Sequence, residues 1–218
     1  MNLLENLNSF LPVYATELPF SKQVVSFTPF KVKDAKNISV VLQEENKLIS
    51  LKALYEILKN STRGVVIDDL CLADAEYLFL MIRGKSIEEK INLLMNNKPV
   101  IIRINDIKWK NELVSQEIKV SNELSFKIET PVLKDLLKLK QFSKKDFLLC
   151  SIKTITANKE IYDVEKFVTD DIKQFLENMP ISVLNELEKI NHPELYVNVS
   201  DNETESEVSG LLTFFTFP

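Results

Sequence analysis

Four aspartates are the residues of this sequence whose type and spacing could support catalysis. Asp68 is followed directly by Asp69, and Asp170 by Asp171. Carboxylate oxygens are the preferred ligands of hard divalent cations, so the two pairs could hold a metal ion if the fold brought them together. A metal-dependent hydrolase or nuclease is one hypothesis. Adjacent aspartates more often lie at a helix N-terminus, where the helix dipole favours negative charge, and we favour this structural interpretation.

Nucleophilic catalysis and zinc binding have few candidate residues. The single histidine, His192, precedes Pro193, and we expect it to be a surface side chain in a turn. A Ser–His or Cys–His dyad would have this one base only. Cys71 and Cys150 are far apart and form no Cys-x-x-Cys pair, so we predict two buried, reduced thiols. We therefore predict a non-enzymatic protein with no catalytic residue, no bound metal and no cofactor.

The composition excludes several further classes of function. Only 3 glycines are present and no Gly-rich phosphate-binding motif occurs. The net charge of -5 gives no general attraction to nucleic acid or anionic lipid. No apolar run is long enough to span a membrane, and the N-terminus lacks the pattern of a signal peptide. We expect a protein that is made, and works, in a reducing cytoplasm.

A basic stripe is the one feature that could face phosphates. It comprises five lysines, Lys134, Lys138, Lys140, Lys144 and Lys145. Asp135 and Asp146 dilute its charge, and few aromatic residues are interleaved with it. We interpret the stripe as a solvated helix face. The alternative, a nucleic-acid-binding module, predicts steeply salt-dependent binding.

The elements that must position these residues follow from the periodicity of apolar side chains. We predict helices at residues 32–60 (two, antiparallel), 73–83 (ended by Gly84), 132–140, 144–149, 163–178 and from 180 onwards. We predict a hairpin at residues 13–27 and strands at 99–104, 118–120, 124–128, 150–156 and 195–199. Ser86 should open a capping box, residues 60–64 should stop a helix with Gly64 just past its end, and residues 201–207 should form an exposed acidic turn.

Strands and helices come in blocks rather than in strict alternation, which predicts an α+β fold with small antiparallel sheets and several amphipathic helices. We divide the chain into an N-terminal arm (residues 1–12), an N-terminal α+β region (13–110) and a C-terminal α+β region (111–218). A single domain is the alternative. The Phe-rich end, with Phe214 and Phe215, must be buried, either in the core of this chain or in a partner.

Three segments carry a resemblance to a known family. They are Val25-Ser-Phe-Thr-Pro-Phe-Lys-Val-Lys-Asp34, Asp74-Ala-Glu-Tyr-Leu-Phe-Leu-Met-Ile-Arg-Gly-Lys-Ser86 and Glu207-Val-Ser-Gly-Leu-Leu-Thr-Phe-Phe215. In this order they resemble the motifs of the baseplate hub assembly family of T-even-like contractile-tailed bacteriophages, whose members are hub subunits or hub assembly chaperones. Some relatives carry Cys-x-x-Cys pairs where this chain has none, so any metal site of those pairs is missing here.

The resemblance implies a late phage protein that binds hub or spike proteins in the host cytoplasm as an assembly chaperone. The alternative is a permanent structural subunit of the hub in the virion. It implies no membrane, nucleic-acid or small-molecule partner. The residues implied in protein binding are Pro29, Phe30, Lys33, Asp74, Tyr77, Leu78, Arg83, Lys85, Gly210, Leu211, Phe214 and Phe215. Core packing explains Tyr77 and Leu78 at least as well, whereas we favour a surface role for Arg83, Lys85 and the Pro29–Phe30 step.

Overall fold

The computed structural model describes residues 11–32, 46–95, 98–164, 174–175, 177–201, 204–209 and 214. Within these residues the chain forms five α-helices and four small antiparallel sheets, so the predicted α+β fold is confirmed. The helices are α1 (Lys47–Ser61), α2 (Leu72–Ser86), α3 (Leu133–Leu136), α4 (Lys144–Ser151) and α5 (Ile181–Glu188).

The twelve strands pair in local hairpins, with a few longer connections. They are β1 (Tyr14–Glu17), β2 (Val24–Phe27), β3 (Thr62–Arg63), β4 (Lys90–Met95), β5 (Lys98–Arg103), β6 (Lys108–Lys110), β7 (Ser115–Lys119), β8 (Leu124–Glu129), β9 (Ile152–Ala157), β10 (Glu160–Asp163), β11 (Glu194–Asp201) and β12 (Thr204–Ser209). The sheet orders are β1-β2-β3, β4-β5, β10-β9-β8-β7 and β12-β11-β6. Among the described strands, only the pairs β2–β3, β8–β9 and β6–β11 join strands that are distant in sequence.

The N-terminal hairpin forms as predicted, with Tyr14 opposite Phe27. Of the two helices predicted at residues 32–60, the second is α1, and its N-terminus is capped by Asn46, whose side chain accepts a hydrogen bond from the Leu48 amide (3.0 Å). Residues 33–45, predicted for the first helix, lie outside the described residues, as does most of the N-terminal arm. The helix stop predicted at residues 60–64 is confirmed, since α1 ends at Ser61, although β3 separates the helix end from Gly64.

Helix α2 is longer than its sequence suggests. Gly84 does not end it; the helix continues to Ser86, and β4 follows four residues later. A Cβ atom at Gly84 would lie 2.8 Å from Ile104 Cδ1, so the missing side chain allows close packing rather than a helix stop. Ser86 opens no capping box, since its hydroxyl donates to the Ile82 carbonyl (2.6 Å) within α2.

Two substitutions at Gly84 should separate these interpretations. Gly84→Ala should change the free energy of unfolding by less than about 1 kcal/mol, because the gain in helix propensity offsets displacement of a flexible methyl group. Gly84→Val should lower it by about 1–3 kcal/mol, because the branched side chain overpacks the contact with Ile104. Urea unfolding of both variants checks this. A Gly84→Val protein as stable as wild type would rule out the close approach.

The C-terminal half follows its alternating pattern in the β7–β8 hairpin, with Phe126 and Ile128 buried. The predicted helix at 132–140 is wrong in length: only Leu133–Leu136 is helical. The Leu133 amide donates to the Leu70 carbonyl (2.8 Å), which fastens this segment to the turn before α2. Ser143 caps α4 as predicted, accepting from the Asp146 amide (3.1 Å), and α4 extends to Ser151.

Two further predictions need correction or remain outside the described residues. The segment predicted as an exposed acidic turn belongs in part to β12, in which Glu207 lies opposite Asn198 of β11. Pairing with β11 gives these polar residues strand structure that their composition does not indicate. Most of the helix predicted at 163–178 lies outside the described residues, and Asp163 itself ends β10.

The buried apolar side chains form two clusters. The larger joins the N-terminal hairpin, α1, α2, the β4–β5 hairpin, β11 and Phe214. The smaller joins β8, β9, the end of α4 and α5. Strand β6 pairs with β11, with Trp109 opposite Leu195, so the residues on both sides of position 110 share one sheet.

Candidate functional site

Two of the four aspartates considered for metal binding, Asp68 and Asp69, already have partners. Asp68 accepts a hydrogen bond from the Tyr55 hydroxyl (3.1 Å), and Lys134 Nζ lies 3.4 Å from Asp69 Oδ1. Asp170 and Asp171 lie outside the described residues. Across the part of the chain that the structure describes, no group of three or more His, Cys, Asp or Glu side chains is placed to hold a metal ion. The hydrolase hypothesis therefore gains no support from the described geometry.

Three of the five lysines of the basic stripe pair with carboxylates. Besides Lys134, Lys138 lies 3.7 Å from Asp135, and Lys145 lies 3.2 Å from Glu177. These pairs are exposed at their lysine ends and contribute little to stability. They do reduce the positive field of this surface, which favours the solvated-face interpretation over phosphate binding.

Asp74 is the first polar residue of the segment from Asp74 to Ser86, hereafter the helical segment. Its carboxylate is fully buried in the first turn of α2. It accepts hydrogen bonds from the amides of Phe20 (3.0 Å) and Ser21 (2.9 Å) in the β1–β2 turn. Hydrogen bonds to an ionised acceptor are stronger than neutral ones. Asp74 therefore fastens the hairpin to α2.

Arg83 corrects the prediction of a surface role. Its side chain is 1% exposed, and Nη1 donates to the carbonyls of Glu88 (3.1 Å) and Lys90 (2.7 Å). Burial lowers the pKa of the guanidinium. Because α2 continues past Gly84, Arg83 lies beneath the entry to β4 rather than at a free helix end. Its hydrogen bonds to the two backbone carbonyls hold the start of β4 in place.

Ser86 and Phe30 join the helical segment to the first of the three resembling segments. The Phe30 amide donates to Ser86 Oγ (2.7 Å), and the rings of Phe30 and Phe79 lie 5.6 Å apart at their centroids. Pro29 and Phe30 are half-buried, so the surface role favoured for this step is only partly available. Two segments far apart in sequence are thus a single packed unit.

The remaining predicted site residues divide into buried, exposed and undescribed. Leu78 and Phe214 are fully buried in the larger cluster, so Phe214 packs in the core of this chain. Lys85 is exposed, with Nζ 3.4 Å from Glu89 and 5.7 Å from the centre of the Tyr14 ring. Tyr77 is half-buried. The residues outside the described part are Lys33, Gly210, Leu211 and Phe215.

A groove beside Trp109 is the surface feature that the sequence did not reveal. The groove, of about 500 Å³, lies between the β1–β2 turn (Pro19, Phe20, Lys22) and residues 109–113. Trp109 is 48% exposed and Leu113 49% exposed, and Tyr77 meets the Trp109 ring edge-on at 6.2 Å. The feature of the sequence that could have pointed to this groove is a single tryptophan between two lysines.

His192 is the second correction among the candidate chemical groups, because it is half-buried rather than a free surface side chain. Its ring packs edge-on against Phe147 at 5.1 Å, and Nε2 lies 3.3 Å from the buried Ser151 hydroxyl. Nδ1 is buried with no hydrogen-bond partner among the described residues. Burial lowers the pKa of His192 to about 4. The Ser151–His192 pair is closed to a substrate because Ser151 is buried.

This burial predicts an acid-sensitive stability. The unfolded chain binds a proton at His192 with a pKa of about 6.5, whereas the folded chain does so near 4, so the contribution of the neutral ring is lost as pH falls between these values. Relative to a His192→Gln variant, the wild type should lose about 2–3 kcal/mol between about pH 7 and pH 4.5. Urea unfolding at both pH values measures this. Equal losses in the two proteins would place His192 in solvent.

The two cysteines are free thiols, as predicted. Cys71 is buried, whereas Cys150 is half-buried, so the prediction of full burial is wrong for Cys150. Burial raises the pKa of each thiol to about 12. At neutral pH both are therefore protonated and poor nucleophiles.

Comparison with known proteins gives the identity of the family. No helix among the described residues is both long and apolar enough to span a membrane. Neither the curated proteins nor the solved structures give a match. A family model described as T4 bacteriophage base plate protein matches residues 11–216. Because this match covers nearly the whole chain and all three resembling segments, the chain belongs to the T4 bacteriophage base plate protein family.

Proposed function

We propose that this base plate protein acts as an assembly chaperone of the baseplate hub in the cytoplasm of the infected bacterium. It binds a hub or spike protein and holds it competent for incorporation. The observation that carries the proposal is the family match over residues 11–216, which implies association with other phage baseplate proteins. The description of the family names a part of the phage and no reaction.

The distribution of exposed apolar side chains among the described residues supports transient rather than permanent binding. Val24, Ile101, Ile161 and Ile181 are exposed, but they lie on three different sheets and a helix. Permanent interfaces are usually large and apolar, like a domain core cut in half. Over the part of the chain that the structure describes, these scattered residues form no such interface, which favours a partner that is bound and released.

The partner contact has to be assigned to residues other than Phe214. Phe214 is already buried in the core of this chain, so it has no surface left for a partner. Asp74 and Arg83 are occupied by backbone groups of this chain. We therefore assign the contact to the exposed groove around Trp109.

A pull-down from infected cells tests the chaperone function. The full-length chain carries a tag and is expressed during infection by the phage that encodes it, and the eluate is analysed by mass spectrometry. We expect enrichment of hub or spike proteins over an unrelated tagged protein of similar size and charge. An eluate that contains no tail protein would contradict the proposal.

The alternative, a permanent structural subunit, predicts the same eluate. It differs in the fate of the protein, because a structural subunit stays in the finished virion. The composition of purified virions therefore separates the two functions.

A further inference from the structure

The outer edge of strand β10 is open and carries an exposed apolar side chain. Among the described strands β10 has one neighbour, β9, so it is an edge of its four-stranded sheet. Ile155 of β9 is buried on the inner face of this sheet, so Thr156 and the Ile161 opposite it lie on the outer face, where Ile161 is 72% exposed. Natural proteins usually guard such an edge with lysine, proline or a bulge. Strand β10 contains none of these, so its edge can accept another strand.

The turn before β10 determines which backbone groups of the strand remain unpaired. Asn158 and Lys159 both have positive φ (50° and 70°), as in a two-residue type I′ turn. Such a turn is closed by a hydrogen bond from the Glu160 amide to the Ala157 carbonyl, so Glu160 points its backbone groups towards β9. The next residue of a strand points its backbone groups the opposite way. The amide and carbonyl of Ile161 therefore point away from β9 and can pair with an added strand.

The side chains of β10 are complementary to those of a second, antiparallel β10. A two-fold axis at Ile161 would set the two Ile161 side chains opposite each other on the outer face. Lys159 is exposed, forms no ion pair with any described residue, and would come beside Asp163 of the second copy. Glu160, which accepts a hydrogen bond from the Tyr162 hydroxyl of its own chain (2.5 Å), would face Tyr162 of the second copy. In this register no two like charges lie directly opposite each other.

Two other edge strands lack this complementarity. Strand β7 is the other edge of the same sheet, and antiparallel pairing about its central residue would set Glu117 against Glu117 of the second copy. Two β6 strands paired about Trp109 would likewise set Lys108 against Lys110. Like charges directly opposite each other destabilise a strand pair. Of these three edges, β10 is therefore the one whose charges permit self-pairing.

We propose that two copies of this chain pair through their β10 strands, antiparallel about a two-fold axis at Ile161, so that two four-stranded sheets form one eight-stranded sheet. The two Ile161 residues exchange backbone hydrogen bonds, and Lys159 of each copy pairs with Asp163 of the other. A four-residue edge is small for an interface, so the pair is weak and reversible. The pairing involves no other phage protein and goes beyond the chaperone function.

Sedimentation velocity of the purified full-length protein between about 1 μM and about 500 μM tests the pairing. We expect monomer at the low end and a growing fraction of dimer towards the high end. Lys159→Glu and Asp163→Lys, measured separately, should each raise the dissociation constant at least about 10-fold, because each sets like charges opposite each other. An equal mixture of the two variants should recover the wild-type association, since opposite charges then meet at both ends of the pair.

Lys119→Glu is the matched control, since Lys119 is exposed on β7, at the other edge of the same sheet. It makes the same charge change and should leave the dissociation constant unchanged. Hydrogen exchange measures the contact itself, because the Ile161 amide should exchange more slowly at about 500 μM than at about 1 μM. At about 1 μM the pair is dissociated, so urea unfolding at that concentration checks that each variant is folded.

A protein that stays monomeric up to about 500 μM would overturn the inference. The same holds for a dimer that Lys159→Glu leaves as tight as wild type, or for a mixture of the two charge variants that associates no better than each variant alone. All of these measurements use the purified chain without any phage partner. Failure of the pairing therefore leaves the chaperone function standing, and failure of the pull-down leaves the pairing standing.

Discussion

Phe214→Ala should lower the free energy of unfolding of the purified protein by about 3–5 kcal/mol. Phe214 is fully buried among the residues of the larger cluster, and its removal would take away apolar burial and leave a cavity. Urea unfolding followed by circular dichroism, without any partner present, measures the loss. A loss of this size would show that Phe214 belongs to the core of this chain.

Ile161→Ala is the control for this substitution. Ile161 is an exposed apolar residue, so its truncation should change stability by less than about 0.5 kcal/mol. If instead Phe214→Ala is as stable as wild type but fails to bind hub proteins, the Phe-rich end belongs to a partner interface. That result would reverse the assignment of the contact to the groove.

Asp74→Ala should cost about 2–4 kcal/mol, because two amides of the hairpin turn would lose a charged acceptor. These are the amides of Phe20 and Ser21, and the carboxylate that accepts from them is fully buried. Hydrogen exchange adds a local measurement, since both amides should exchange faster in the variant while those of α1 stay protected. Urea unfolding gives the global loss.

Asp69→Ala is the matched aspartate control. Asp69 is 59% exposed and its one described contact is the ion pair with Lys134, so its loss should cost less than about 1 kcal/mol. An Asp74→Ala protein with unchanged stability and unchanged exchange at Phe20 and Ser21 would remove the structural role of Asp74. A direct role in partner binding would then explain that residue better.

Periodicity predicted the elements whose contacts are local. The β1–β2 and β7–β8 hairpins, helix α1 and the cap of α4 at Ser143 all follow from alternation, helical spacing or a capping residue. Each of these depends on neighbours within a few positions along the chain. Sequence rules describe such neighbours well.

Element ends were predicted less well because tertiary contacts decide them. Glycine often ends a helix, but here Ile104, twenty positions later, packs closely against Gly84 because Gly84 has no Cβ atom. This continuation of α2 buries Arg83, which local rules place at an exposed helix end. The burial of His192 depends likewise on Phe147 and Ser151, which no local pattern connects to it.

The three resembling segments are distant in sequence but meet in the folded chain. Phe30 of the first meets Ser86 and Phe79 of the second, and Phe214 of the third enters the same core. A resemblance carried by core residues reports the fold and the family. It does not locate a binding surface, and none of the predicted site residues lines the groove beside Trp109.

The most direct measurement of chaperone function is quantitative mass spectrometry of purified virions beside the lysate of infected cells. A chaperone should be abundant in the lysate, where it is recovered with hub proteins, and absent from the virions. Presence of the protein in virions at a fixed ratio to the hub proteins would contradict a chaperone function and establish a permanent structural subunit of the base plate.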